Sequence, residues 1–511
     1  MSTNTSFHPL TFFKNGVNDF KFLPFRFYRL QNGRVLLTNL VGEYLIISSD
    51  EYKNFISRDL VVGSELYNCL KQKHFLFDNS SYLVELLSSK YWTKKSFIQG
   101  FTKLHIFVLT LRCNSACTYC QASRQEECAS DIYDMDVNTA RKAVDMMFHS
   151  PSNEITVEFQ GGEPLLNLVA LKEVVTYATK VNEKYKKNLS FVVCTNLSKI
   201  DDELLDFFAK YKINISTSLD GPDFLHDMNR ARANKAACHA VLERNIARAR
   251  EALGVNTISA LMTTTKQSLP YAKEIVDEYL RLKMGSIFIR ALNPYGYAIK
   301  TDKAIGYTVQ EFLKFYKECF SYILKKNREG IVFPEGYASM LYKKILTPWP
   351  IGFVDLQSPT GNGFAVTVYN YDGDVYASDE SRMLYEMGDP AFRLGSVLQD
   401  TYEQIYFGAG MQTLAANGVA ECLAGCSDCA FVPYCGADPV RHYATQHDIY
   451  GHRPSSSFCQ KNKAIFEFLF EELQTMDETT EEILWTWLRS CGREEVSCTA
   501  LGENDARTCK S

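Results

Sequence analysis

The sequence lacks long apolar runs, and it lacks a strong excess of either charge. No stretch approaches the roughly 18 consecutive apolar residues of a membrane-spanning helix, so no membrane span is predicted. The chain of 511 residues carries 55 basic and 60 acidic side chains, a formal charge of −5, which argues against a nucleic-acid-binding protein. The first residues also lack a basic start followed by an apolar segment, so we expect a cytoplasmic protein with no secretory signal.

What the sequence does contain is enough apolar material for a large core and an unusual number of cysteines. Hydrophobic residues make up 46% and aromatic residues 13% of the chain, which excludes a disordered protein. At about 150 residues per domain, the length predicts about three domains. A reducing compartment keeps thiols free, so the 16 cysteines of a cytoplasmic protein favour metal binding or catalysis. Eight of them fall in two groups along the chain.

The middle of the chain has the pattern of an α/β fold with a parallel sheet. Six apolar, β-rich runs alternate with amphipathic helical stretches, and these runs are 104–111, 155–159, 189–195, 213–219, 255–264 and 286–292. Six strand–helix units predict a parallel sheet that is covered on both faces. In such folds the chemistry lies at the carboxyl ends of the strands.

The remaining segments complete a four-part division of the chain. We predict an N-terminal α+β unit over 1–100, the parallel α/β unit over 101–330, a Cys-rich region with a Gly-turn strand pair over 331–475, and a C-terminal tail over 476–511. The tail begins with a short helical pattern and contains Cys491, Cys498 and Cys509, to which the sequence assigns no role.

The first cysteine group directly follows the first predicted strand. Cys113, Cys117 and Cys120 have the spacing C-x3-C-x2-C, with Tyr119 before the last cysteine. A closed zinc site takes four ligands, whereas an iron–sulfur cubane held by three thiolates keeps one iron free for a small molecule. A zinc knuckle completed by a distant His or Cys remains the alternative.

Polar or glycine-rich motifs follow three further predicted strands. Gly161-Gly162-Glu163-Pro164 follows the second strand, and paired glycines let a backbone approach a ligand closely. Thr195-Asn196-Leu197 follows the third strand, and Ser218 to Pro222 follows the fourth, with Arg230 further on. Singly, these motifs also suit a plain β–α turn or a solvated charge at a helix end.

Together, these four motifs resemble those of the radical S-adenosylmethionine (SAM) superfamily. The resemblance implies a partial (β/α)6 barrel and a 4Fe–4S cluster on Cys113, Cys117 and Cys120. The free iron of this cluster chelates SAM and cleaves it to a 5′-deoxyadenosyl radical. It also implies that Tyr119 packs near the adenine. Gly161, Gly162 and Glu163 would approach the SAM ammonium group with bare backbone groups, while Asn196, Ser218 and Arg230 would help to hold the rest of SAM. Leu197 departs from the family, which often has glycine there.

The second cysteine group resembles the SPASM-type C-terminal extension of such enzymes. On this resemblance, Cys426, Cys429, Cys435 and Cys459 hold an auxiliary 4Fe–4S cluster, with a zinc ribbon as the alternative. Ser378 and Pro439 stand where the family has two thiolates of another auxiliary cluster, so we expect that cluster to be absent. Cys422 is unassigned. Asp379 matches a catalytic proton acceptor of sulfatase-maturing relatives, the alternative being a solvated hairpin residue.

The N-terminal unit resembles the winged-helix elements that bind leader peptides along a strand edge; the alternative is a cap that only packs on the barrel. The nearest resemblance of the whole is to the B-type radical SAM maturase of His-Xaa-Ser systems, over roughly residues 10–470. It implies a peptide or small-protein substrate, a second radical SAM maturase as partner and an external electron donor. Thioether formation, sulfatase-type oxidation and a non-catalytic zinc-stapled scaffold remain alternatives.

Overall fold

The structure is a computed structural model that describes residues 20–78, 82–231 and 237–496, with the side chains of 490–496 left out. Cys498 and Cys509 lie outside the described residues, as does the side chain of Cys491. Among the described helices, none combines the length and the apolar character that crossing a membrane requires.

The N-terminal unit is a small antiparallel sheet followed by helices. Its elements are β1 (Lys21–Phe22), β2 (Arg26–Arg29), β3 (Val35–Thr38), β4 (Tyr44–Ile47), α1 (Ser49–Ile56), α2 (Glu65–Gln72), β5 (Leu76–Phe77) and α3 (Tyr82–Lys94). β2, β3 and β4 form one sheet, and β1 pairs with β5. Ser48 and Glu51 form a capping box that starts α1. The unit has its own apolar core around Val35, Leu37 and Phe55.

The central unit has the predicted alternation of strands and helices. Its elements are β6 (Leu104–Thr110), β7 (Arg112–Cys113), β8 (Gln125–Glu126), α4 (Val137–Phe148), β9 (Glu154–Gly161), α5 (Leu168–Tyr185), β10 (Asn188–Cys194), α6 (Asp202–Tyr211), β11 (Ile213–Ser218), α7 (Asp223–Asn229), α8 (Cys238–Leu253), β12 (Ile258–Thr263), α9 (Ala272–Arg281) and β13 (Ile289–Arg290). The six predicted strands correspond to β6 and β9–β13. The sixth is only two residues long.

The six strands pair in parallel, in the order β13-β12-β11-β10-β9-β6. Along β9, Ile155, Val157 and Phe159 are buried in the main core, while Glu154, Thr156 and Glu158 line a cavity on the other face. This alternation follows from the two-residue period of a strand. The carboxyl ends of all six strands therefore meet at one edge, where the sequence motifs lie.

The Cys-rich region continues from the central unit. Its elements are α10 (Tyr297–Ile305), α11 (Val309–Arg328), α12 (Gly336–Leu346), β14 (Val366–Tyr369), β15 (Asp374–Tyr376), α13 (Asp379–Glu386), β16 (Arg393–Ser396), α14 (Tyr402–Tyr406), α15 (Ala409–Asn417), α16 (Pro439–Gln446), α17 (Ser457–Thr475) and α18 (Glu478–Val496).

The predicted strand pair of this region is present, but it belongs to the central sheet. β14 pairs in parallel with β6, and β15 and β16 follow it antiparallel, so the described sheet has nine strands. The turn of the hairpin, after Tyr369, therefore lies at the edge where the barrel motifs lie. The four-part division of the chain stays a prediction.

The C-terminal helix is longer than the short helix predicted for the tail. α18 has 19 residues, packs against α11 and α12, and buries Trp487 completely. The indole of Trp487 donates to Asn327 Oδ1 at 3.0 Å. The start of the predicted tail is therefore part of the packed structure.

Candidate SAM and iron–sulfur sites

The loop that carries the first three cysteines is fixed on both sides by backbone hydrogen bonds. The amides of Ala116 and Thr118 donate to the carbonyls of Ala231 and Asn229, at 2.7 and 2.8 Å, and the amide of Tyr297 donates to Cys120 O at 2.8 Å. Arg112, at the start of the loop, binds Asp134 through Nε at 2.9 Å. The end of α7 and the start of α10 thus hold the loop against the carboxyl ends of the strands.

The three thiols lie partly buried in this loop and close enough to influence one another. Burial raises the pKa of Cys113, and the neighbouring Glu163, Cys117 and Cys120 raise it further. Burial also raises the pKa of Cys117 to about 11, although Arg230, 3.9 Å away through Nη1, opposes this shift. These shifts favour the protonated thiols of Cys113 and Cys117, and bound iron would supply the positive charge that a thiolate needs.

The donor set fits a cubane cluster. Within the described part of the chain, no three His, Cys, Asp or Glu side chains are gathered closely enough for a single metal ion. A cubane presents a separate iron to each thiolate, so its ligands need not converge on one point. Cys113, Cys117 and Cys120 would hold three of the irons.

The two glycines of the second motif press the end of β9 against this loop. Gly161 has φ +130°, and a Cβ on it would lie 2.2 Å from Thr110 O; a Cβ on Gly162 would lie 2.3 Å from Arg112 O. The amides of Gly162 and Glu163 donate to these same carbonyls, at 2.8 and 2.9 Å. Of the bare backbone groups predicted here, the amides of Gly162 and Glu163 are therefore not available to a ligand, because they hold the cysteine loop.

Glu163 is buried and bound to the next strand end. Its carboxylate accepts hydrogen bonds from Thr195 Oγ1 at 2.6 Å, from the amide of Asn196 at 2.9 Å and from the amide of Leu165 at 3.1 Å. Burial raises its pKa, and these hydrogen bonds oppose the shift. Its acceptor capacity is used within the protein, so it positions Asn196 and presents no free carboxylate to a ligand.

Asn196 reaches the cysteine loop directly. Its Nδ2 donates to Asn114 Oδ1 at 2.9 Å and to Ser115 Oγ at 3.1 Å. The family's usual glycine position, Leu197, has a left-handed φ of 57° and a completely buried side chain. The departure from the family therefore preserves the backbone conformation that glycine usually supplies.

Tyr119 and Arg230 meet at Asp220, a residue to which the sequence assigned no role. Asp220 Oδ2 accepts from Tyr119 Oη at 2.5 Å and from Arg230 Nε at 3.1 Å. The Arg230 guanidinium lies 5.2 Å from the centre of the Tyr119 ring. Arg230 is thus a largely buried ion-pair partner, and the reading of a solvated charge is wrong. Ser218 ends β11 two residues before Asp220.

Asp379 begins α13 and is paired, which corrects the reading of a solvated hairpin residue. Its Oδ1 accepts from Arg382 Nε and Nη2 at 3.0 and 2.9 Å, and Arg382 Nη1 donates to Ala122 O beside the cysteine loop.

Two neighbours of Asp379 were not predicted from the sequence. Glu158 and Cys194 lie on the face of the sheet that lines the cavity, and Cys194 Sγ donates to Glu158 Oε1 at 3.4 Å. Burial raises the pKa of Glu158, and Asp379 raises it further.

The four thiols of the second group also lie within electrostatic range of one another. Burial raises the pKa of Cys435 to about 12, with Cys429 and Cys426 as the next causes, and burial and Cys429 raise that of Cys459. Arg453 Nε contacts Cys426 Sγ at 2.9 Å. Cys459 lies in the first turn of α17, where the helix dipole favours a thiolate. Cys422 is exposed.

Comparison with known proteins supports the central unit most directly. Residues 107–279 match the model of the radical SAM superfamily. An uncharacterized protein of Methanocaldococcus jannaschii is 28% identical over 198 residues, which is 37% of this chain and 62% of that protein's length. A cysteine-type anaerobic sulfatase-maturating enzyme of Clostridium novyi is 22% identical over 381 residues, 72% of this chain and 95% of that enzyme.

A solved structure described as native anSMEcpe with bound AdoMet and Cp18Cys peptide has the same overall fold. Its TM-score is 0.59 at 19% identity, covering 73% of this chain and 98% of that one. The match over residues 107–279 supports the predicted radical SAM domain, and the comparisons together bear out the prediction that this protein is an enzyme. They also confirm SAM and a 4Fe–4S cluster as the cofactors of its class, and they speak against the non-catalytic scaffold.

Proposed function

We propose that this enzyme cleaves SAM reductively and uses the resulting radical to modify a peptide or small protein, as a SPASM-type or sulfatase-maturase-type enzyme. The observation that carries the proposal is the loop of Cys113, Cys117 and Cys120, fixed at the strand ends among Gly161, Asn196 and Arg230. A 4Fe–4S cluster bound by these thiolates would supply the electron that splits the sulfonium of SAM.

The residues around the loop serve mainly to hold its shape. Asn196 binds Asn114 and Ser115, and Asp220 ties Tyr119 to Arg230. A loop fixed in this way keeps its thiolates in place before any ligand arrives, which lowers the cost of ordering the site. The carbonyl oxygens of the glycine segment remain the natural acceptors for the SAM ammonium group.

A peptide substrate is supported by the size of the cavity on the inner face of the sheet. It has a volume of about 950 Å³ and reaches from Glu158 and Ser216 to Phe97, Phe101 and Phe353. This volume is at the upper end of the range for small-molecule pockets. An extended peptide with its target side chain near Glu158 suits it. The residues from Phe97 to Phe101 connect this cavity to the N-terminal unit, whose edge strands β2 and β4 we propose as the leader-peptide site.

Two features support the finer assignments. The second thiol group, with four ligands and no free position, suits an auxiliary 4Fe–4S cluster that transfers electrons. The motif resemblance favours a substrate protein with His-Xaa-Ser repeats, matured together with a second radical SAM enzyme and supplied by an external electron donor. A second candidate, sulfatase-type oxidation of Cys or Ser, is supported by Asp379 lying near Glu158, since one of the two can accept a proton.

The test of SAM cleavage compares two sets of cysteine variants under strong reductant without oxygen. We expect changing Cys113, Cys117 and Cys120 together to Ala to abolish formation of 5′-deoxyadenosine. Cys128→Ala, at an exposed cysteine of the same segment, should leave it unchanged. If the triple variant still formed 5′-deoxyadenosine, the assignment of these three cysteines to the SAM-cleaving cluster would be wrong.

The contents of iron, sulfide and zinc per chain then show whether the second thiol group holds an iron–sulfur cluster or zinc. About eight irons with matching sulfide mean two cubanes, and about four irons with zinc mean that the second group is a zinc ribbon. The product mass separates the chemistries: sulfatase-type oxidation of Cys or Ser yields an aldehyde, whereas a cross-link leaves the peptide lighter by the hydrogens removed.

A further inference from the structure

The two positions that lack the family's thiolates lie close in sequence to two acidic residues that interact with each other. Ser378 and Pro439 lie at the starts of α13 and α16. Each has an acidic residue close by in the sequence, Glu380 and Asp438, and Asp355 completes the acidic set. All three acids are within electrostatic range of one another.

A cavity of about 180 Å³ lies beside these acids, and its charged walls are mostly basic. Arg290, Arg441, Lys461 and Asp355 line it, together with aromatic side chains that include Phe353 and Phe458. Three cations against one carboxylate give this wall a positive balance. An apolar surface with a few convergent charged groups is typical of a site for a small ligand.

The cations of this wall are poorly neutralised by the protein itself. No acceptor among the described residues takes a hydrogen bond from Lys461 Nζ, which lies 5.6 and 5.7 Å from the ring centres of Tyr337 and Phe458. Arg441 donates to Asn293 Oδ1 at 2.6 Å, but its buried Nε has no partner in the described part of the chain. Arg290 is 3.8 Å from Glu380 Oε1, a long ion pair.

The two acids behind the wall do not cancel this positive charge completely. Burial raises the pKa of Glu380 to about 7, and burial raises that of Asp438 to about 6. These shifts favour the neutral forms of both acids.

We propose that this cavity, which we name the cation-lined pocket, binds a carboxylate carried on a short apolar stem. The proposal rests on the proposed function, because it makes the pocket a specificity site for one anionic residue of the peptide substrate. The pocket shares Leu261, Phe288 and Phe353 with the large cavity. A substrate residue can thus enter it while a neighbouring residue occupies the large cavity.

The volume agrees with a ligand of this size. A cavity of about 150 Å³ accommodates one benzene ring, so 180 Å³ accommodates an aryl or alkyl stem near the aromatic walls. The carboxylate would then meet Lys461 Nζ and the guanidinium of Arg441. Hydrogen bonds between charged partners in a site shielded from water are the strong ones.

The test measures binding of 3-phenylpropionate to the reconstituted full-length enzyme, without reductant, by ligand-observed NMR and calorimetry. The matched probe is 3-phenylpropylamine, which has a similar shape and the opposite charge. We expect the carboxylate to bind and the ammonium to bind at least about tenfold more weakly, because loss of a charged hydrogen bond in a buried site has this size.

Two variants should move the affinity in opposite directions. Lys461→Met keeps the stem and removes the charge, and should weaken carboxylate binding by about tenfold or more. Asp355→Asn removes the acid that faces the ligand, and should strengthen it several-fold. Lys314→Met, at an exposed lysine of α11, is the control and should change nothing.

The outcomes separate this proposal from the proposed function. Absence of carboxylate binding, or equal binding of the ammonium probe, overturns the cation-lined pocket even where 5′-deoxyadenosine forms. Binding with the expected variant effects supports it even where SAM cleavage fails. N-acetylphenylalanine and N-acetylglutamate α-amide then show whether the pocket takes a chain-terminal or a side-chain carboxylate.

Discussion

At the scale of the residue, Leu197 shows how packing can hold a backbone conformation that its residue type disfavours. Its φ of 57° lies in the left-handed region, which costs a non-glycine residue about 1–2 kcal/mol. Its amide donates to Thr195 Oγ1 at 3.0 Å, and its carbonyl accepts from Asn245 Nδ2 at 2.6 Å. The side chain is also fully buried. The amide, the carbonyl and the side chain of Leu197 therefore all hold this backbone conformation, directly after the site residue Asn196.

Leu197→Gly should therefore destabilise the protein, although glycine is the residue that the family usually has. Removing a buried leucine side chain costs about 2–5 kcal/mol, which exceeds the backbone relief of about 1–2 kcal/mol. The expected net loss is about 1–3 kcal/mol, measured as a lower urea midpoint of the reconstituted enzyme.

The control uses a residue with the same backbone conformation and no packing. Lys186 ends α5 with φ 55° and an exposed side chain. Lys186→Gly should raise the urea midpoint slightly, by up to about 1 kcal/mol, because only the strain is removed. A stabilising effect of Leu197→Gly of the same size would show that the buried side chain contributes little.

At the scale of the element, the hairpin β14–β15 marks where prediction from sequence succeeds and where it stops. The alternating pattern and the Gly373 turn predict the hairpin itself, because these are local signals. Its parallel pairing with β6 joins residues about 260 positions apart, from Val366↔Leu104 to Tyr369↔Phe107. No local pattern contains that partner.

The same distinction holds for the candidate site. Motifs at the strand ends predicted the cysteine loop, Asn196 and Arg230, because each motif is contiguous in sequence. Asp220 lies within the motif from Ser218 to Pro222, but the motif predicts no role for it, since that role depends on Tyr119, which is 101 residues away. Glu158 could have been found from the alternation along β9, which places it opposite the buried Phe159.

Ser378 also has its reason at the scale of the element. Its hydroxyl accepts from the amide of Ser381 at 3.2 Å, while Ser381 Oγ accepts from the amide of Ser378 at 2.8 Å, so it caps α13. Ser378→Ala should lower the stability by about 1 kcal/mol through loss of this cap.

Ser378→Cys is the informative partner variant. It restores a thiol at the position of the family's ligand, but Pro439 still lacks one. We expect the iron content to stay that of the wild type. A rise of about four irons per chain would show that the other auxiliary cluster forms without a thiol at Pro439.

At the scale of the whole molecule, the N-terminal unit is attached to the second cysteine group. Thr38 Oγ1 donates to Ala430 O at 2.6 Å, Tyr434 Oη donates to Gly42 O at 3.1 Å, and Arg26 binds Ser427 O. These contacts all end on the segment between the first and the last thiol of the loop. The shape of this segment and the position of the proposed peptide site are thereby linked.

Loss of the metal at the second group should therefore loosen the N-terminal unit. In Cys429→Ala the loop has one ligand fewer, so its backbone acceptors lose their fixed positions. Amide hydrogen exchange should then accelerate together in β3, β4 and residues 427–434, because contacts that open as one unit exchange as one unit. β9 and β10, buried in the central sheet, should keep the wild-type exchange rate.

The control variant is Cys422→Ala, at the exposed cysteine of the same loop, and it should leave the amide exchange rates unchanged throughout the protein. Acceleration confined to the loop would show that the N-terminal unit is held by its other contacts, and the second thiol group would then have no part in placing a peptide.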